Sequence, residues 1–242
     1  MAFSVYRTDS RTEGFCGNSK NGAEVMSQKK RAYQLFLLFA VLAVVITALV
    51  CLVDVRPVGP LGTKVGLSHL NKAVHQAIGF HTGLYKLTEV LGILAILTAL
   101  SFVVIGILEW MARKSFHRID PAIRRICVIY ILVVILYGLF EVVVVNYRPV
   151  IMPGSVQPEA SFPSSHSMLA TAVMGTAVIG WQKILKKSRM RLILQTAALV
   201  ILALTVVGRL ISGVHWFSDI VAGLLYGLTL VSLYRAWMTE EE

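Results

Sequence analysis

Six apolar runs dominate the sequence, and they constrain its fold more than any other feature. A helix needs about 20 predominantly apolar residues to cross the hydrocarbon core of a bilayer. Runs of about that length lie near residues 34–53, 88–111, 126–147, 165–182, 192–211 and 216–237. Only 15% of the residues are charged, whereas a soluble domain carries about a quarter. The sequence therefore predicts an all-α, polytopic membrane protein with six transmembrane helices in a bundle.

The residues outside these runs suggest a single domain with a polar leader. We expect residues 1–31 to form a disordered N-terminal segment and residues 32–242 to form one six-span domain, because the chain shows no convincing internal repeat. The first connection is long, and between Val65 and Phe80 it carries apolar residues near helical spacing. This spacing predicts a short interfacial helix, which either packs on the bundle as an ordinary loop helix or covers a substrate.

Lysine and arginine residues are concentrated in alternate connections. Basic clusters at 29–31, 113–125 and 183–191 mark the cytoplasmic side by the positive-inside rule. Both termini are therefore predicted to be cytoplasmic, with the first, third and fifth connections outside. The short connections are typical of a bacterial plasma-membrane protein. Because the net charge of +10 is divided among these clusters rather than gathered on one solvated face, no nucleic-acid partner is expected.

Three ionisable residues lie where the fifth run ends and the sixth begins. Arg209, His215 and Asp219 are costly at a membrane edge, and such residues are functional-site candidates by default. If the last helix starts near His215, then His215 and Asp219 share its first turn. A carboxylate there can hold one imidazole nitrogen and leave the other free to attack. Since the guanidinium fork of Arg209 suits phosphate oxygens, the trio points to phosphoryl chemistry at a membrane surface.

Two further polar groups belong with this trio. Arg148 precedes Pro149 at the outer end of the third run, and His166 lies in a Ser-rich segment that opens the fourth run. In the orientation derived from charge alone, Arg148, His166, Arg209, His215 and Asp219 all reach the outer membrane face. The orientation was obtained without using these five residues as a site, so their convergence supports a common site on that face.

The same residues resemble the three motifs of the type-2 phosphatidate phosphatase superfamily, the membrane lipid phosphatases related to vanadium haloperoxidases. The family motifs run Lys-x6-Arg-Pro, Pro-Ser-Gly-His and Ser-Arg-x5-His-x3-Asp. Here they correspond to Arg148-Pro149, to Pro163-Ser164-Ser165-His166, and to Arg209-x5-His215-x3-Asp219. The layout of six runs extends the resemblance from about residue 34 to residue 237.

The resemblance implies a two-step phosphoryl transfer without a metal ion or other cofactor. His215 would be the nucleophile, Asp219 would orient its ring, and His166 would serve as general acid and then as general base. The phosphate oxygens would be held by Arg148, Arg209, Ser164 and the backbone amides near Ser165, at a helix N-terminus. The partners implied are membrane lipids and a lipid phosphate substrate: phosphatidic acid, phosphatidylglycerol phosphate or undecaprenyl diphosphate.

The sequence departs from the family pattern at three positions and leaves two carboxylates without an assigned role. Ser165 replaces the glycine of the second motif, Gly208 replaces the serine of the third, and Glu141 stands where the first motif has lysine. Glu141 either pairs with Arg148 and orients it, or repels phosphate and modifies the site. Glu89, near the outer start of the second run, either lines the cavity or faces the lipid headgroups.

Two other functions remain open at this stage. In a lipid phosphotransferase, His215 would pass its phosphoryl group to a second lipid instead of water. In a non-catalytic lipid-phosphate binder or transporter, Glu141 would be a sign of lost catalysis. The sequence does not indicate an oligomeric state.

Overall fold

The computed structural model describes residues 11–152 and 154–239, with side chains from Met26 onward. In these residues the chain is all-α and contains only two isolated antiparallel bridges outside its helices. The helices are α1 (Arg11–Leu52), α2 (Ser68–Ile78), α3 (Thr82–Arg113), α4 (Pro121–Val142), α5 (Ser165–Ile184), α6 (Ser188–Ser212) and α7 (Phe217–Met238). Short 3-10 turns lie at Pro60–Gly62 and Phe116–Arg118.

Five of these helices are long and apolar enough to span a membrane. They are α1 from Met26 to Leu52, α3, α4, α6 and α7. Each of the six predicted apolar runs overlaps one helix. However, α5 is not among the five candidate spans found in the described residues. The membrane class predicted from the sequence is therefore confirmed, whereas the number of six spans is not.

Helix α5 differs from the others because it lies inside the bundle. It packs against α3, α4, α6 and α7, and small or polar residues such as Ser167, Thr171 and Thr176 are buried along it. Small residues let neighbouring helix backbones approach closely in membrane proteins. A helix that meets protein on most sides has little need for a continuous apolar surface, which explains its lower hydropathy.

The largest difference in helix boundaries concerns α4. The sequence predicts a third run over residues 126–147, but α4 starts at Pro121, with Asp120 as its N-cap, and ends at Val142. Residues after Val142 leave the helix because Tyr147 pairs with Ala160 in an antiparallel bridge. Arg148 consequently lies on a loop and not at a helix end.

The N-terminal region is helical where it is described. Helix α1 begins at Arg11, within the 1–31 segment for which the sequence predicts disorder, and residues 1–10 lie outside the described residues. The division of the chain at residue 31 therefore stays a prediction. The predicted helix between residues 65 and 80 is confirmed as α2.

The main apolar core is formed by α3, α4, α5 and α7, toward the end of the bundle opposite His166 and His215. Its centre is Phe102, which is fully buried and stacks on Trp181 with ring centroids 6.0 Å apart. The ring of Tyr130 meets Phe102 edge-on at 6.5 Å. This packing fixes α3 against α4 and α5, and it positions the polar residues at the far ends of the same helices.

Removing the central ring should therefore loosen the whole bundle. Phe102→Ala is expected to destabilise the protein by about 3–5 kcal/mol, because it combines lost burial with a cavity. The measurement is the unfolding temperature in detergent, with Leu100→Ala as control because Leu100 lies on the exposed surface. Equal unfolding temperatures for the two variants would contradict this description of the core.

Candidate active site

The loop between α4 and α5 folds back on itself and brings distant sequence positions together. The backbone N–H of Arg148 donates to the carbonyl of Glu159 at 2.9 Å, and that of Ser161 donates to the carbonyl of Asn146 at 2.9 Å. These pairs belong to the same antiparallel bridge as Tyr147 and Ala160. Asn146, Arg148 and Ser161 therefore lie side by side at one end of the bundle.

Asp219, in the first turn of α7, is the centre of a buried hydrogen-bond network. Its carboxylate accepts from Ser161 Oγ at 2.6 Å, Asn146 Nδ2 at 3.1 Å, the Trp216 backbone N–H at 3.1 Å and Ser218 Oγ at 3.3 Å. The side chain is fully buried, and a buried carboxylate is tolerated only when its oxygens are paired. The network thus joins the start of α7 to both sides of the loop between α4 and α5.

Ser161 links Asp219 to His215. The Ser161 hydroxyl has one proton, and the short bond to Asp219 indicates that it is donated there, so the same oxygen accepts from His215 Nδ1 at 3.0 Å. The Ser161 carbonyl, which can only accept, also lies 3.1 Å from Nδ1. Both contacts assign the ring proton to Nδ1. The sequence predicts that Asp219 orients His215, and in the structure the connection runs through Ser161.

His215 is thereby left with a free lone pair on Nε2. Among the described residues Nε2 has no hydrogen-bond partner, and the residue is only 4% exposed. Burial, reinforced by the charges of Arg148 and Arg209, holds the pKa of His215 well below its usual value of 6.5. A neutral imidazole whose Nε2 is unprotonated is the form that can act as a nucleophile.

A polar cavity of about 190 Å³ opens in front of this histidine. It brings together side chains from four separate parts of the chain, and those able to bind or react with a phosphate ester are Arg148, Ser161, Ser165, His166 and His215. Arg148 is half-buried there, and its Nε lies 3.4 Å from Glu159 Oε2. Its Nη1 is buried and has no hydrogen-bond partner in the part of the chain that the structure describes. Four of the predicted site residues, Arg148, Ser165, His166 and His215, therefore line one cavity.

Arg209 lies behind the cavity wall. Its side chain is fully buried, and its Nη2 is hydrogen-bonded to Glu89 Oε1 at 2.5 Å. Glu89 Oε2 lies 3.4 Å from His166 Nε2. Of the two alternatives for Glu89, the structure supports the first, because Glu89 lines the polar cavity. Arg209 does not line that cavity among the described residues.

The two serines before His166 are placed differently. Ser164 is the N-cap of α5, is fully buried, and accepts from the Ser167 backbone N–H at 3.4 Å. Ser165 lines the cavity at the first residue of the helix. The first turn of a helix presents backbone N–H groups without intrahelical acceptors, so anions are favoured at Ser165. Phosphate binding by Ser164 and Ser165 stays a prediction.

Glu141 stands on the rim of the cavity. It is exposed at the end of α4 and lines the cavity together with Tyr137 and Phe140. Its predicted role as a partner of Arg148 is not tested, and the ion pair of Arg148 is with Glu159. The rim therefore carries negative charge at the position where the first motif has lysine.

A second, apolar cavity of about 420 Å³ adjoins the first between α3, α4 and α5. Both cavities share Glu89, Tyr137, Ser165, His166 and Met168 in their walls. The remaining wall of the second is almost entirely aliphatic, formed by Gly92, Ile93, Ile96, Val133, Val134 and Leu169. A polar compartment that continues into an aliphatic one suits a ligand with a charged head and a hydrocarbon chain.

Helix α2 is hydrogen-bonded to the residues that surround the site. Asn71 is fully buried, donates from Nδ2 to Ser218 Oγ at 2.8 Å and accepts from the Ser218 backbone N–H at 3.0 Å. Ser218 in turn contacts Asp219. Helix α2 is thus hydrogen-bonded to the start of α7, close to His215 and Asp219.

Sequence reasoning missed Asn71, Asn146 and Ser161, although each lies in a segment that carries a predicted helix or motif. Their partners are far away in sequence: Asn146 bonds Asp219 over 73 positions, and Asn71 bonds Ser218 over 147. The available signal is polarity, because these amides and hydroxyls stand next to apolar runs where an unpaired polar group is costly.

Gly208 has a packing role that the motif does not suggest. A Cβ at this position would lie 2.6 Å from Thr88 Cγ2, which is too close for normal contact. Thr88 is fully buried on α3, next to Glu89. The glycine therefore lets α6 approach α3 just where Arg209 meets Glu89, and the serine of the family motif would not fit without movement.

Comparisons with known proteins identify a family and a similar fold. The sequence profile of the PAP2 superfamily matches residues 91–242. A solved structure described as the first transmembrane PAP2 type phosphatidylglycerolphosphate phosphatase from Bacillus subtilis resembles the fold with a TM-score of 0.61 and 21% sequence identity. The match covers 87% of this chain and 97% of that chain. No curated protein matches the sequence significantly.

The contact between Gly208 and Thr88 predicts a pair of compensating substitutions. Gly208→Ala should destabilise the protein by about 1–3 kcal/mol through overpacking. Adding Thr88→Ser removes Cγ2 but keeps the hydroxyl that donates to the Tyr85 carbonyl, so the double variant should recover most of the loss. Unfolding temperatures in detergent provide the measurement. Gly138→Ala is the control, because a Cβ there meets nothing within 4 Å.

The close approach would be refuted in either of two ways. Gly208→Ala could unfold at the same temperature as Gly138→Ala, or Thr88→Ser could fail to restore the stability of the Gly208 variant. Either result would mean that α6 and α3 are not in tight contact beside Arg209.

Proposed function

The chain belongs to the PAP2 superfamily, and on that premise we propose that it is a membrane phosphatase that removes phosphate from a lipid phosphate through a phosphohistidine intermediate. One observation carries the proposal. His215 Nε2 is an unprotonated nitrogen at a polar cavity with no hydrogen-bond partner among the described residues, and its Nδ1 proton is held by Ser161.

The first half-reaction transfers the phosphoryl group to His215. Nε2 attacks phosphorus, the bond from phosphorus to the lipid oxygen breaks, and His166 gives its proton to that leaving oxygen. His215 becomes positively charged as the new bond forms. Ser161 Oγ accepts from Nδ1–H and donates its own proton to the buried Asp219 carboxylate, so both groups stabilise this charge.

The second half-reaction regenerates the enzyme. A water molecule attacks phosphorus, His166 takes its proton, and the bond between phosphorus and Nε2 breaks to restore the neutral ring. Phosphoryl transfer of this kind depends mainly on positioning and on charge stabilisation. Arg148 and the amides at Ser165, which line the cavity, would hold the phosphate oxygens, and Ser164 caps the helix that presents these amides. Arg209 contributes its charge from behind the wall. No step requires a metal ion.

The substrate is a lipid because the polar cavity continues into an aliphatic one. A phosphate near His215 leaves room for a hydrocarbon chain between Ile93, Ile96 and Val134, where α3 and α4 meet the bilayer. Phosphatidic acid, phosphatidylglycerol phosphate and undecaprenyl diphosphate all combine the required head and chain. Of these, the diphosphate carries most negative charge, and Glu141 on the rim opposes it.

The proposed topology has six spans, with α5 as the enclosed fourth span. Basic residues at 29–31, 113–125 and 183–191 occupy the end of the bundle opposite His166 and His215, so the positive-inside rule favours cytoplasmic termini and an outward-facing site. We assign the protein to the plasma membrane of a bacterium on the strength of its short connections.

The test is phosphate release by purified protein in detergent with EDTA present. Phosphatidic acid, phosphatidylglycerol phosphate and undecaprenyl diphosphate are the substrates, and we expect turnover that survives EDTA. His215→Ala should reduce it by at least about 1000-fold, since it removes the attacking nitrogen. His117→Ala, an exposed histidine at the other end of the bundle, should leave turnover unchanged.

Two results would replace the proposal. Labelled phosphate that appears on a second lipid instead of in solution would identify a phosphotransferase. A folded protein that binds these lipids but releases no phosphate would identify a non-catalytic binder.

A further inference from the structure

One face of α3 is shaped around Arg209 and His166. Tyr85, Thr88, Glu89 and Gly92 follow the spacing of one helical face. The ring of Tyr85 lies 5.2 Å from the Arg209 guanidinium carbon, and Thr88 meets Gly208. A Cβ at Gly92 would lie 2.6 Å from His166 Cδ2 and 2.9 Å from Nε2. The imidazole ring of His166 therefore contacts the backbone of α3 at Gly92, one helical turn after Glu89.

Glu89 divides its two carboxylate oxygens between the two basic groups. Oε1 is bonded to Nη2 of the fully buried Arg209, and Oε2 lies 3.4 Å from His166 Nε2. A buried guanidinium needs an anionic partner, and this need holds the carboxylate at the wall of the cavity. Glu89 is thus anchored by Arg209 in a position where its other oxygen faces His166.

The charges around His166 make this contact significant. Burial of the ring opposes a positive charge on it, and so do the charges of Arg209 and Arg148, whereas Glu89 favours such a charge. The neutral His215 contributes no charge. Glu89 and, on the rim, Glu141 are the carboxylates that line the same cavity. An opposite charge at this distance favours the protonated imidazole, whereas two neighbouring cations disfavour it. Without Glu89, the ring would face a predominantly positive environment.

We propose that Glu89 is a positioning residue that favours the proton-donating form of His166 while it holds Arg209 in place. The inference rests on the proposed function, in which His166 protonates the leaving lipid oxygen. Glu89 stays ionised throughout: the proton passes from the imidazolium to the oxygen as the bond from phosphorus to that oxygen breaks, and the water consumed in the second half-reaction returns it. The carboxylate neither gains nor loses a proton.

Two substrates that differ in their leaving group distinguish a role of Glu89 in proton donation from a purely structural role. An alkyl alcohol such as the diacylglycerol of phosphatidic acid needs a proton to depart, whereas p-nitrophenolate departs without one. The value of kcat/KM covers the steps up to departure of the leaving group, so the later attack of water does not enter. Loss of a general acid therefore lowers kcat/KM for phosphatidic acid selectively.

The experiment compares Glu89→Gln with wild type on dioctanoyl phosphatidic acid and p-nitrophenyl phosphate. Glutamine keeps the size of the side chain and its oxygen but removes the charge. We expect kcat/KM for phosphatidic acid to fall by about 10- to 100-fold, and that for p-nitrophenyl phosphate by less than about threefold, as a weakened general acid requires. Glu159→Gln is the matched control, because it removes a carboxylate beside Arg148 that does not contact His166. Any effect of the control should be equal for both substrates.

Three outcomes would overturn the inference. Equal losses for both substrates in Glu89→Gln would indicate a structural role only. Unchanged values of kcat/KM for both substrates would mean that His166 does not depend on Glu89. A lower KM for both substrates would mean that Glu89 competes with phosphate for the site.

A second variant covers the case in which Glu89→Gln fails to fold around an unpaired Arg209. Glu89→Asp keeps the charge near Arg209 but withdraws the carboxylate from His166 by one methylene, so an intermediate loss restricted to phosphatidic acid is expected. If the ratio of kcat/KM for phosphatidic acid to kcat/KM for p-nitrophenyl phosphate equals that of wild type in Glu89→Asp, the inference is overturned. Wild-type protein that hydrolyses neither substrate would refute the proposed function and this inference together, whereas active wild type with an unaltered Glu89 variant refutes only the inference.

Discussion

The buried carboxylate of Asp219 is the interaction on which the site end of the bundle depends. A charge at the end of a membrane helix is tolerable only if the protein supplies donors to it. Those donors come from the loop before α5, from the turn before α7 and, through Ser218, from α2. Satisfying one carboxylate therefore determines where three separate segments lie. The orientation of His215 is a consequence, because its ring is held by the same Ser161 hydroxyl.

The helices and the clustering of most candidate site residues were accessible from sequence for distinct physical reasons. Bilayer thickness sets the length of apolar runs, so five spans could be found from hydropathy, and the enclosed α5 was found only because its run retains enough aliphatic residues. The end of α4 was misplaced, because the pairing of Asn146 with Ser161 that terminates it is a tertiary contact. The PAP2 motifs identified the family, but they contain neither Ser161 nor Glu89. Those residues act across 54 and 120 positions of the chain, a separation at which a single sequence carries no signal for pairing.

Helix α3 contributes polar residues to the candidate site while remaining a continuous, largely apolar helix. Helix α3 places Tyr85, Thr88, Glu89 and Gly92 on one face and leaves its other faces to lipid and core. Arg209 and Glu89 neutralise each other inside the wall, while Arg148 stays at the cavity, where a phosphate can reach it. The change from the motif serine to Gly208 fits this arrangement, since it allows the close contact between α6 and α3. Glu141 has no such explanation from its contacts.

The most direct test of the account is to trap the phosphorylated enzyme. Purified protein mixed with 32P-labelled phosphatidic acid and quenched with denaturant within milliseconds should carry acid-labile, alkali-stable label on the peptide that contains His215. The label should appear before free phosphate and should be absent from His215→Ala. Release of phosphate at the normal rate with no label on the protein at any time would contradict the account, because water would then attack the lipid phosphate directly.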